Sequence, residues 1–521
     1  MAPRLIKGFL TVGGWTMISR LLGFLRDILI ARFLGTSAAA EAFVVAFSLP
    51  NMFRRFFAEG AFNMAFVPLY AKKLEDDPEA ADAFARDAVA FMVFALTLFT
   101  VLGILFMPFL VFAMAAGFVE DTRFDLAVFY GRIAFPYILL ISLAALVSGL
   151  LNSNGRFLAA AAAPALLNIL FIGAMIFVVL DVFPDTPSPL DFGAALAWAV
   201  PLGGLAQLGL VWAAARRAGH RLLPRRLPRL TPDLKRLLVI AAPVALAGGV
   251  VQINLLVGRQ VASQFEGAVG WLYYADRLYQ LPLGVIGIAI GVVLLPELSR
   301  RVRAEDLAGQ QAAYSRAAEF SLLLTLPATV AFLVVPLPVV SVLFERGAFG
   351  PDDTAATAVA LMIYALGLPA FVLQKVLQPA FFAREDTRRP FYYALVSMVV
   401  NAVVAIGLAR TLGFTAAALG TTLAAWAMVA LLWRGARSMG AATRLDRRAR
   451  GRMWRIIAAS LAMGGVTWAF GLLGGGLFLG AGRELALLAL IAVGAGSYLM
   501  FAQLFGAVQL GELRGAFRRQ R

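Results

Sequence analysis

Apolar stretches of roughly twenty residues recur along the whole length of this 521-residue chain. A helix needs about twenty mostly apolar residues to cross the hydrocarbon core of a membrane. The stretches leave no interval long enough for a large soluble domain. Hydrophobic residues make up 61% of the chain, whereas a soluble domain contains about half. The sequence therefore predicts an all-α polytopic membrane protein.

We predict fourteen transmembrane helices from these stretches. The first contains Arg20, Arg26 and Asp27 and has no small-residue cleavage site, so we expect a retained helix rather than a signal peptide. The predicted ranges, in chain order, are 8–33, 38–70, 86–115, 126–152, 157–181, 192–215, 236–262, 269–299, 312–345, 354–383, 389–410, 414–434, 454–474 and 483–506.

The basic residues of the loops alternate between the two sides of this arrangement. Of the 46 Lys and Arg residues, 33 fall on the side of the N-terminus, five on the other side and eight within helices. Loops rich in Lys and Arg stay in the cytoplasm, so we expect both termini to be cytoplasmic. The same rule accounts for much of the net charge of +16, and no nucleic-acid partner is expected.

The first twelve predicted helices resemble two copies of a six-helix block. Residues of the same kind recur at offsets of 230 to 235, although chance similarity among Gly- and Pro-rich helices is an alternative. The matching pairs include Gly23 and Gly258, Glu41 and Asp276, Arg86 and Arg316, Pro136 and Pro369, and Asn168 and Asn401. Six is an even number, so both blocks enter the membrane in the same orientation. Transporters built from repeats usually bind substrate between them.

This pattern predicts four regions along the chain. They are an N-lobe at 1–217, a basic cytoplasmic linker at 218–235, a C-lobe at 236–438, and the last two helices with a basic tail at 439–521.

Charged residues inside the predicted helices are the strongest functional signal. The eight cations are Arg20, Arg26, Arg32, Arg54, Arg55, Arg259, Arg277 and Lys375, and the four acids are Asp27, Glu41, Glu59 and Asp276. A charge at the centre of a membrane helix costs about 2.5–3.5 kcal/mol on insertion scales, so each must face a partner or a wet cavity. Internal ion pairs could neutralise four of the cations. The remaining excess predicts a central cationic cavity for an anionic ligand, and the planar guanidinium suits phosphate.

Other residue types exclude several kinds of site. The chain has no cysteine and a single histidine, His220, so thiolate and histidine metal clusters are excluded. No phosphate-binding loop of the Walker type occurs, and no cofactor is expected. A proton or sodium ion could bind the intramembrane acids as a coupling ion, or the membrane potential could act directly on the charge of the cavity.

Four segments resemble the MurJ (MviN) family of lipid II flippases, in the multidrug/oligosaccharidyl-lipid/polysaccharide exporter superfamily. They are Ser19–Asp27, Pro50–Phe62, Phe135–Ser142 and Tyr273–Leu278. The resemblance extends over essentially the whole chain. It implies a fourteen-helix fold with two lobes around a central cavity, and two further helices that form a groove for a lipid tail.

The resemblance also implies roles for individual residues. The family's cavity arginines fall at Arg20, Arg26, Arg54 and Arg277, and its helix-2 aspartate falls at Glu41. A lysine of some members is replaced here by Ser48, which removes one cation. The predicted substrate-binding residues are Arg20, Arg26, Arg54, Arg277, Ser19, Asn51 and Lys375. The predicted coupling or ion-pair residues are Asp27, Glu41, Glu59, Asp276 and Arg55.

The function expected from this resemblance is the transport of lipid II, an undecaprenyl-pyrophosphate glycopeptide, from the cytoplasmic to the periplasmic leaflet of a bacterial inner membrane by alternating access. We expect a monomer that contacts membrane lipids and the cell-wall synthesis machinery. Export of another lipid-linked oligosaccharide or of a drug is the alternative. A polytopic glycosyltransferase is disfavoured, because the outer acids lie in short, separate loops without a paired arrangement.

Overall fold

A computed structural model describes residues 3–54, 61–180, 188–223, 230–480 and 482–508. Almost all of these residues are helical, and no strand occurs among them. Packing divides the chain into two compact units. Unit 1 comprises Met1–Gly270 with Arg346–Phe349, and unit 2 comprises Trp271–Glu345 with Gly350–Arg521. The all-α class predicted from the sequence is confirmed.

Unit 1 is built from ten helices in its described residues. They are α1 (Pro3–Leu34), α2 (Ala38–Arg54), α3 (Ala61–Asp76), α4 (Pro78–Leu105), α5 (Met107–Met114), α6 (Thr122–Ala134), α7 (Tyr137–Ser153), α8 (Leu158–Val179), α9 (Pro189–Arg217) and α10 (Pro232–Ala262). Helix α8 packs against α1 and α9, and α2 packs against α6.

Unit 2 contains the remaining helices, except that the first three residues of α11 belong to unit 1. They are α11 (Ala268–Arg303), α12 (Leu307–Val334), α13 (Pro336–Phe344), α14 (Pro351–Phe382), α15 (Arg388–Gly407), α16 (Ala409–Leu412), α17 (Thr415–Ala436), α18 (Arg447–Leu473) and α19 (Arg483–Leu504). Helices α18 and α19 pack on each other, and α18 packs on α12. The hydroxyl of Tyr498 in α19 donates to the carbonyl oxygen of Leu323 in α12 at 2.6 Å.

Prolines divide three helices that the sequence analysis predicted as continuous. Pro108 lies in the first turn of α5, Pro136 immediately precedes α7, and Pro336 is the first residue of α13. The predicted ranges 86–115, 126–152 and 312–345 are therefore each a pair of helices. The physical reason is that proline has no N–H and its ring displaces the preceding turn, whereas hydropathy takes no account of either effect.

Three helices begin five to eight residues earlier than hydropathy predicted. The side chains of Asp77, Asp306 and Asp446 cap the first turns of α4, α12 and α18 by accepting hydrogen bonds from backbone N–H groups. The polar first turns of these helices extend the apolar segments, so a criterion based on apolar length missed them.

Ten segments of the described residues are long and apolar enough to cross a membrane. They coincide with the predicted helices 3–6 and 9–14, and helices also occupy the other four predicted ranges. The count of fourteen spans stays a prediction. The boundaries of the predicted lobes also stay a prediction, since they describe sequence repeats, whereas compact packing places α10 in unit 1.

Candidate substrate site

A polar network joins α1 to α8 in unit 1. The Arg26 Nε and Nη2 groups donate to Asp27 Oδ1 at 2.9 and 2.7 Å, and Nη1 donates to Asn168 Oδ1 at 2.8 Å. The Asn168 amide in turn donates to the Ser19 carbonyl oxygen at 2.9 Å. We call Ser19, Arg26, Asp27 and Asn168 the mid-helix cluster. It holds the Arg26 guanidinium in one orientation by bonds from two helices.

Aromatic rings pack against the Arg26 side chain of this cluster. The Arg26 guanidinium lies 5.5 Å from the ring centroid of Phe171 in α8. Phe43 and Phe47 of α2 approach the same ring edge-on, with centroid distances of 5.9 and 5.4 Å. A cation over an aromatic face is stabilised by the ring quadrupole. Helix α8 therefore contacts the Arg26 guanidinium directly through Asn168 and Phe171, and α2 packs against Phe171.

Arg20 lies on the same helix but in a different environment. Its side chain is exposed, and no ion pair is found for it within the part of the chain that the structure describes. Met17 and Leu21 beside it are also exposed. This face of α1 is therefore not packed against the helices of unit 1 whose residues the structure describes. An arginine facing hydrocarbon is costly, so this position favours contact with water or an anionic ligand.

Helix α2 carries the predicted substrate-binding residues Asn51 and Arg54, and Ser48, which was not among them. Ser48 Oγ donates to the Val44 carbonyl oxygen at 2.6 Å, and Asn51 Nδ2 donates to the Phe47 carbonyl oxygen at 2.9 Å. Both bonds remain within the helix, so neither side chain bonds to another helix among the described residues. Arg54, the last residue of α2, is half-buried. The predicted Arg55 and Glu59 lie outside the described residues.

Glu41 lies in a second group, the outer cluster, at the predicted outer turn between α1 and α2. Its side chain is fully buried. Its Oε2 accepts from Arg123 Nη1 at 2.8 Å, and its Oε1 accepts from the backbone N–H of Val269 at 2.8 Å. Arg123 also donates to Asp121 at 2.5–3.0 Å and covers the ring of Phe118 at 4.4 Å. The outer cluster consists of Glu41, Arg123, Asp121 and Val269.

Asp121 lies in the turn before α6, outside the membrane-spanning segment. Burial alone raises the pKa of its carboxyl group, but hydrogen bonds from the side chain and backbone N–H of Arg123 outweigh burial and bring the pKa below its usual value. The carboxylate therefore stays charged beside Arg123, whose guanidinium bridges two acids.

Neighbouring hydrogen bonds fasten the end of α10 to the turn after α5. Gln260 accepts from the N–H of Ala116 at 2.9 Å, and Ser263 Oγ accepts from the N–H of Gly117 at 3.1 Å. A Cβ on Gly117 would lie only 2.4 Å from the Ser263 carbonyl oxygen, so this close backbone approach requires glycine. Gln260 also donates to the carbonyl oxygens of Phe112 and Ala113.

The predicted site residues of unit 2 lie on α11 and α14. The Arg277 guanidinium lies 4.6 Å from the ring centroid of Tyr273, one turn earlier, and the Asp276 carboxylate accepts from the Gln280 amide. Lys375 is exposed on α14, one turn after Phe371, and Phe371 stacks on Tyr279 of α11 at 5.6 Å.

A family model described as lipid II flippase MurJ matches residues 30–478. The chain belongs to the MurJ family. A protein described as a probable lipid II flippase MurJ, from Rhizobium meliloti (strain 1021), is 44% identical over 525 residues, which cover 99% of this chain and 96% of the relative.

Solved structures show the same fold at lower identity. One described as lipid II flippase MurJ in an inward closed conformation has a TM-score of 0.78 and 24% identity, covering 95% of this MurJ-family chain and 98% of its own. An inward-facing multidrug resistance MATE family transporter of the MOP superfamily has a TM-score of 0.67 and 17% identity, covering 84% and 98%. These likenesses establish the fold of the MurJ-family chain.

The structure changes the pairing of charges that was counted from the sequence. That count allowed Glu41 to neutralise one of the eight intramembrane cations, but Glu41 pairs with Arg123, which was not among them. The reason is that α6 packs along α2 and places Arg123 beside Glu41. The count also allowed Asp27 to pair, and it pairs with Arg26. Among the described residues, no group of three or more His, Cys, Asp and Glu side chains could hold a metal ion.

Several residues of these clusters were not singled out from the sequence. Arg123 carried a weak signal, because it is a basic residue that follows the acidic pair Glu120–Asp121. Asn168 was identified only as the residue that matches Asn401 between the two six-helix blocks. Gln260 and Ser263 carried no signal, because their role depends on where the turn after α5 lies.

Proposed function

We propose that this MurJ-family chain translocates lipid II from the cytoplasmic to the periplasmic leaflet of a bacterial inner membrane by alternating access. The observation that carries the proposal is the match to the lipid II flippase MurJ family over residues 30–478, together with a relative of that description aligned over 99% of the chain. The family consists of transporters, so the chain is not assigned an enzymatic activity.

The intramembrane cations support a substrate with a pyrophosphate. Arginine binds phosphate oxygens through two parallel N–H groups, and such charge-assisted bonds are roughly twice as strong as neutral ones. Arg20 and Lys375 are well placed for this role, since both are exposed and neither has an ion pair among the described residues. Arg26 is already bonded to Asp27 and Asn168, so we assign it a positioning role as well as a contribution to the local charge.

The excess of cations also bears on the alternative substrates. A cationic drug would be repelled by exposed Arg20 and Lys375, whereas another lipid-linked oligosaccharide phosphate would not be. Export of such an oligosaccharide therefore remains the second candidate. The two candidates differ in the sugar-peptide part of the substrate. The cations bind phosphate and therefore do not distinguish the two.

The chain is a multi-pass membrane protein, and its loop charges support the proposal that both termini are cytoplasmic. Asp27 and Asp276 are the acids we propose as positions for a coupling proton or sodium ion. Both oxygens of Glu41 are occupied by Arg123 and by a backbone N–H, so protonation there would break the outer cluster. Reconstituted liposomes with imposed proton, sodium or electrical gradients would show which gradient drives transport.

The proposal is tested by depleting the protein in the cell that carries it and labelling lipid II at the outer face of the membrane. We expect outer-leaflet labelling to fall while lipid II accumulates inside and the cells lyse. Normal outer-leaflet lipid II in depleted cells would refute the proposal. Loss of another lipid-linked oligosaccharide from the outer face, with lipid II unchanged, would support the second candidate.

A further inference from the structure

We propose that a groove on the outer surface of unit 1 binds one acyl chain of an anionic phospholipid, whose headgroup lies at Arg216. The groove has a volume of about 530 Å³, within the usual range of roughly 300–1,000 Å³ for small-molecule sites. One face of α9 forms most of it. The lining residues of this helix are Leu205, Leu208, Gly209, Trp212, Ala213 and Arg216.

The length of the groove matches one leaflet of a membrane. Leu205 and Arg216 are eleven positions apart on a continuous helix, which corresponds to about 16 Å at 1.5 Å per residue. Half of a hydrocarbon core roughly 30 Å thick is about 15 Å. The groove therefore extends from the level of the headgroups at Arg216 to about the midplane at Leu205, as an acyl chain does.

The chemistry of the lining selects the ligand. Val93 of α4 and Leu143 of α7 complete the apolar wall, and Arg216 is the only charged residue that lines the groove among the described residues. Trp212 and Arg216 are the only lining residues with polar side-chain groups among the described residues, which is few for a sugar or a peptide. A long apolar chain with a single anionic group at one end satisfies both features. In the orientation proposed from loop charges, this end lies in the cytoplasmic leaflet.

Two local features keep the groove open and bounded. Gly209 lies at its wall, and a Cβ at this position would have no heavy atom within 4 Å, so the glycine leaves room for a ligand. Leu223, from the segment after α9, borders the groove at the Arg216 end. That segment is held by an interaction between His220 Nδ1 and Asp82 Oδ1 at 2.8 Å. The groove is thus built by three helices and a fastened turn.

The test measures lipid retention by the purified full-length protein with native mass spectrometry, using phosphatidylglycerol and phosphatidylcholine with identical acyl chains. One cation near a headgroup is worth about 1 kcal/mol, so we expect about five-fold stronger binding of phosphatidylglycerol at one site. Gly209→Leu should fill the groove and remove this tightly bound lipid. Arg216→Gln should keep the site but abolish the preference for the anionic lipid.

Matched controls separate the groove from a general effect of mutation. Gly173→Leu is a substitution at an equally open, exposed glycine of α8, and Arg217→Gln removes a neighbouring exposed charge that does not line the groove. Both should leave the preference unchanged, and all four variants should unfold at the wild-type temperature. Equal loss of lipid in Gly209→Leu and Gly173→Leu would overturn the proposal. Stronger binding of undecaprenyl phosphate than of phosphatidylglycerol would also overturn it.

Discussion

The outer cluster and the mid-helix cluster use the same residue types for different ends. In the outer cluster, the fully buried Glu41 bonds to Arg123 and Val269, which lie 82 and 228 residues away in the chain. In the mid-helix cluster, Arg26 pairs with Asp27, its neighbour in sequence, and its guanidinium also contacts Asn168 and Phe171, which both lie on α8. The first cluster joins distant segments, whereas the second mainly orients one guanidinium.

The two clusters show that some intramembrane charges stabilise the fold, whereas others are available to a ligand. A buried carboxylate whose two oxygens are bonded to separate segments stabilises the fold, and removal of either partner leaves an uncompensated charge. An ion pair between sequence neighbours adds little to the fold but sets the direction of a side chain. An exposed arginine without an ion pair, such as Arg20, does neither and is available to a ligand.

The largest expected effect follows from breaking the outer cluster. Glu41→Gln leaves the buried Arg123 with Asp121 as its only carboxylate partner among those observed, and we expect a loss of about 3–5 kcal/mol in the free energy of unfolding. Denaturant titration of the purified protein measures this loss. Asp125→Asn, which removes an exposed acid of the same helix α6, should change it by less than about 0.5 kcal/mol.

A double variant sharpens this prediction. If Glu41 and Arg123 act mainly on each other, Glu41→Gln combined with Arg123→Gln should cost clearly less than the sum of the two single variants. Additive losses would mean that Glu41 stabilises the fold through backbone N–H groups such as that of Val269 rather than through Arg123. A stable Glu41→Gln protein without transport activity would instead reassign Glu41 from structure to coupling.

The next largest effect concerns Arg20, whose exposed guanidinium we assign to ligand binding. Arg20→Ala should reduce transport by about ten- to a hundred-fold, the scale of losing a charged hydrogen bond of about 1.5–3 kcal/mol. Unfolding should change by less than about 0.5 kcal/mol, because the side chain is exposed. Transport of lipid II into the outer leaflet of liposomes measures the first quantity, and denaturant titration measures the second.

Arg32 provides the matched control, because it is an exposed arginine in the last turn of the same helix. Arg32→Ala should transport lipid II at nearly the wild-type rate. Equal losses in both variants would show that α1 needs positive charge in general, and the assignment of Arg20 as a ligand would be wrong.

The sequence predicted the helices well because a helix that crosses a membrane requires an apolar stretch about twenty residues long. All fourteen predicted ranges coincide with helices among the described residues. The sequence contains prolines at 108, 136 and 336, but hydropathy takes no account of the steric effect by which proline ends a helix. The three helix breaks were therefore not predicted. Capped extensions such as the first turns of α18 were missed for a similar reason, since a charged segment can continue a helix outside the membrane.

The site was predictable in its residue types but not in its partners. Intramembrane charge identified Arg20, Arg26 and Glu41 because such charges are costly and therefore rare. It did not identify Arg123 as the partner of Glu41, because ion pairing depends on which helices are neighbours. Asn168 was likewise not predicted as a partner of Arg26, because an amide carries no charge and its partner depends on how α8 packs against α1.

A smaller effect is expected when the orientation of Arg26 is disturbed at constant charge. Arg26→Lys loses the fork that bonds to Asp27 and Asn168 together, since an ammonium group does not reproduce planar bidentate geometry. We expect transport to fall by about five- to thirty-fold, equivalent to roughly 1–2 kcal/mol. Arg217→Lys, at an exposed cation of α9, is the control. Full activity of Arg26→Lys would show that this position supplies only charge.

The smallest effect concerns Asp446, a half-buried acid of unit 2 that forms an ion pair with Arg316. Asp446 caps α18 by accepting from the N–H of Ala449 at 2.6 Å, and it also accepts from Arg316 of α12. Asp446→Asn keeps a good capping residue but loses the ion pair, so we expect a cost of about 0.2–1 kcal/mol in the free energy of unfolding. Asp77→Asn, at a helix cap for which no ion pair is observed among the described residues, should cost less.

The dependence on pH separates the ion pair from other effects of Asp446→Asn. Burial alone raises the pKa of Asp446, but the bond from Ala449 and the Arg316 guanidinium together bring the pKa below its usual value. A carboxyl group with a lowered folded-state pKa stabilises the protein above its unfolded pKa of about 3.9, and this contribution is lost as the pH falls through the folded value. The wild-type protein should therefore lose its advantage over Asp446→Asn as the pH is lowered below about 4. A difference that stayed constant down to low pH would mean that the variant acts through local packing. Asp446 would then not stabilise unit 2 by an ion pair, as Glu41 stabilises unit 1 in the outer cluster.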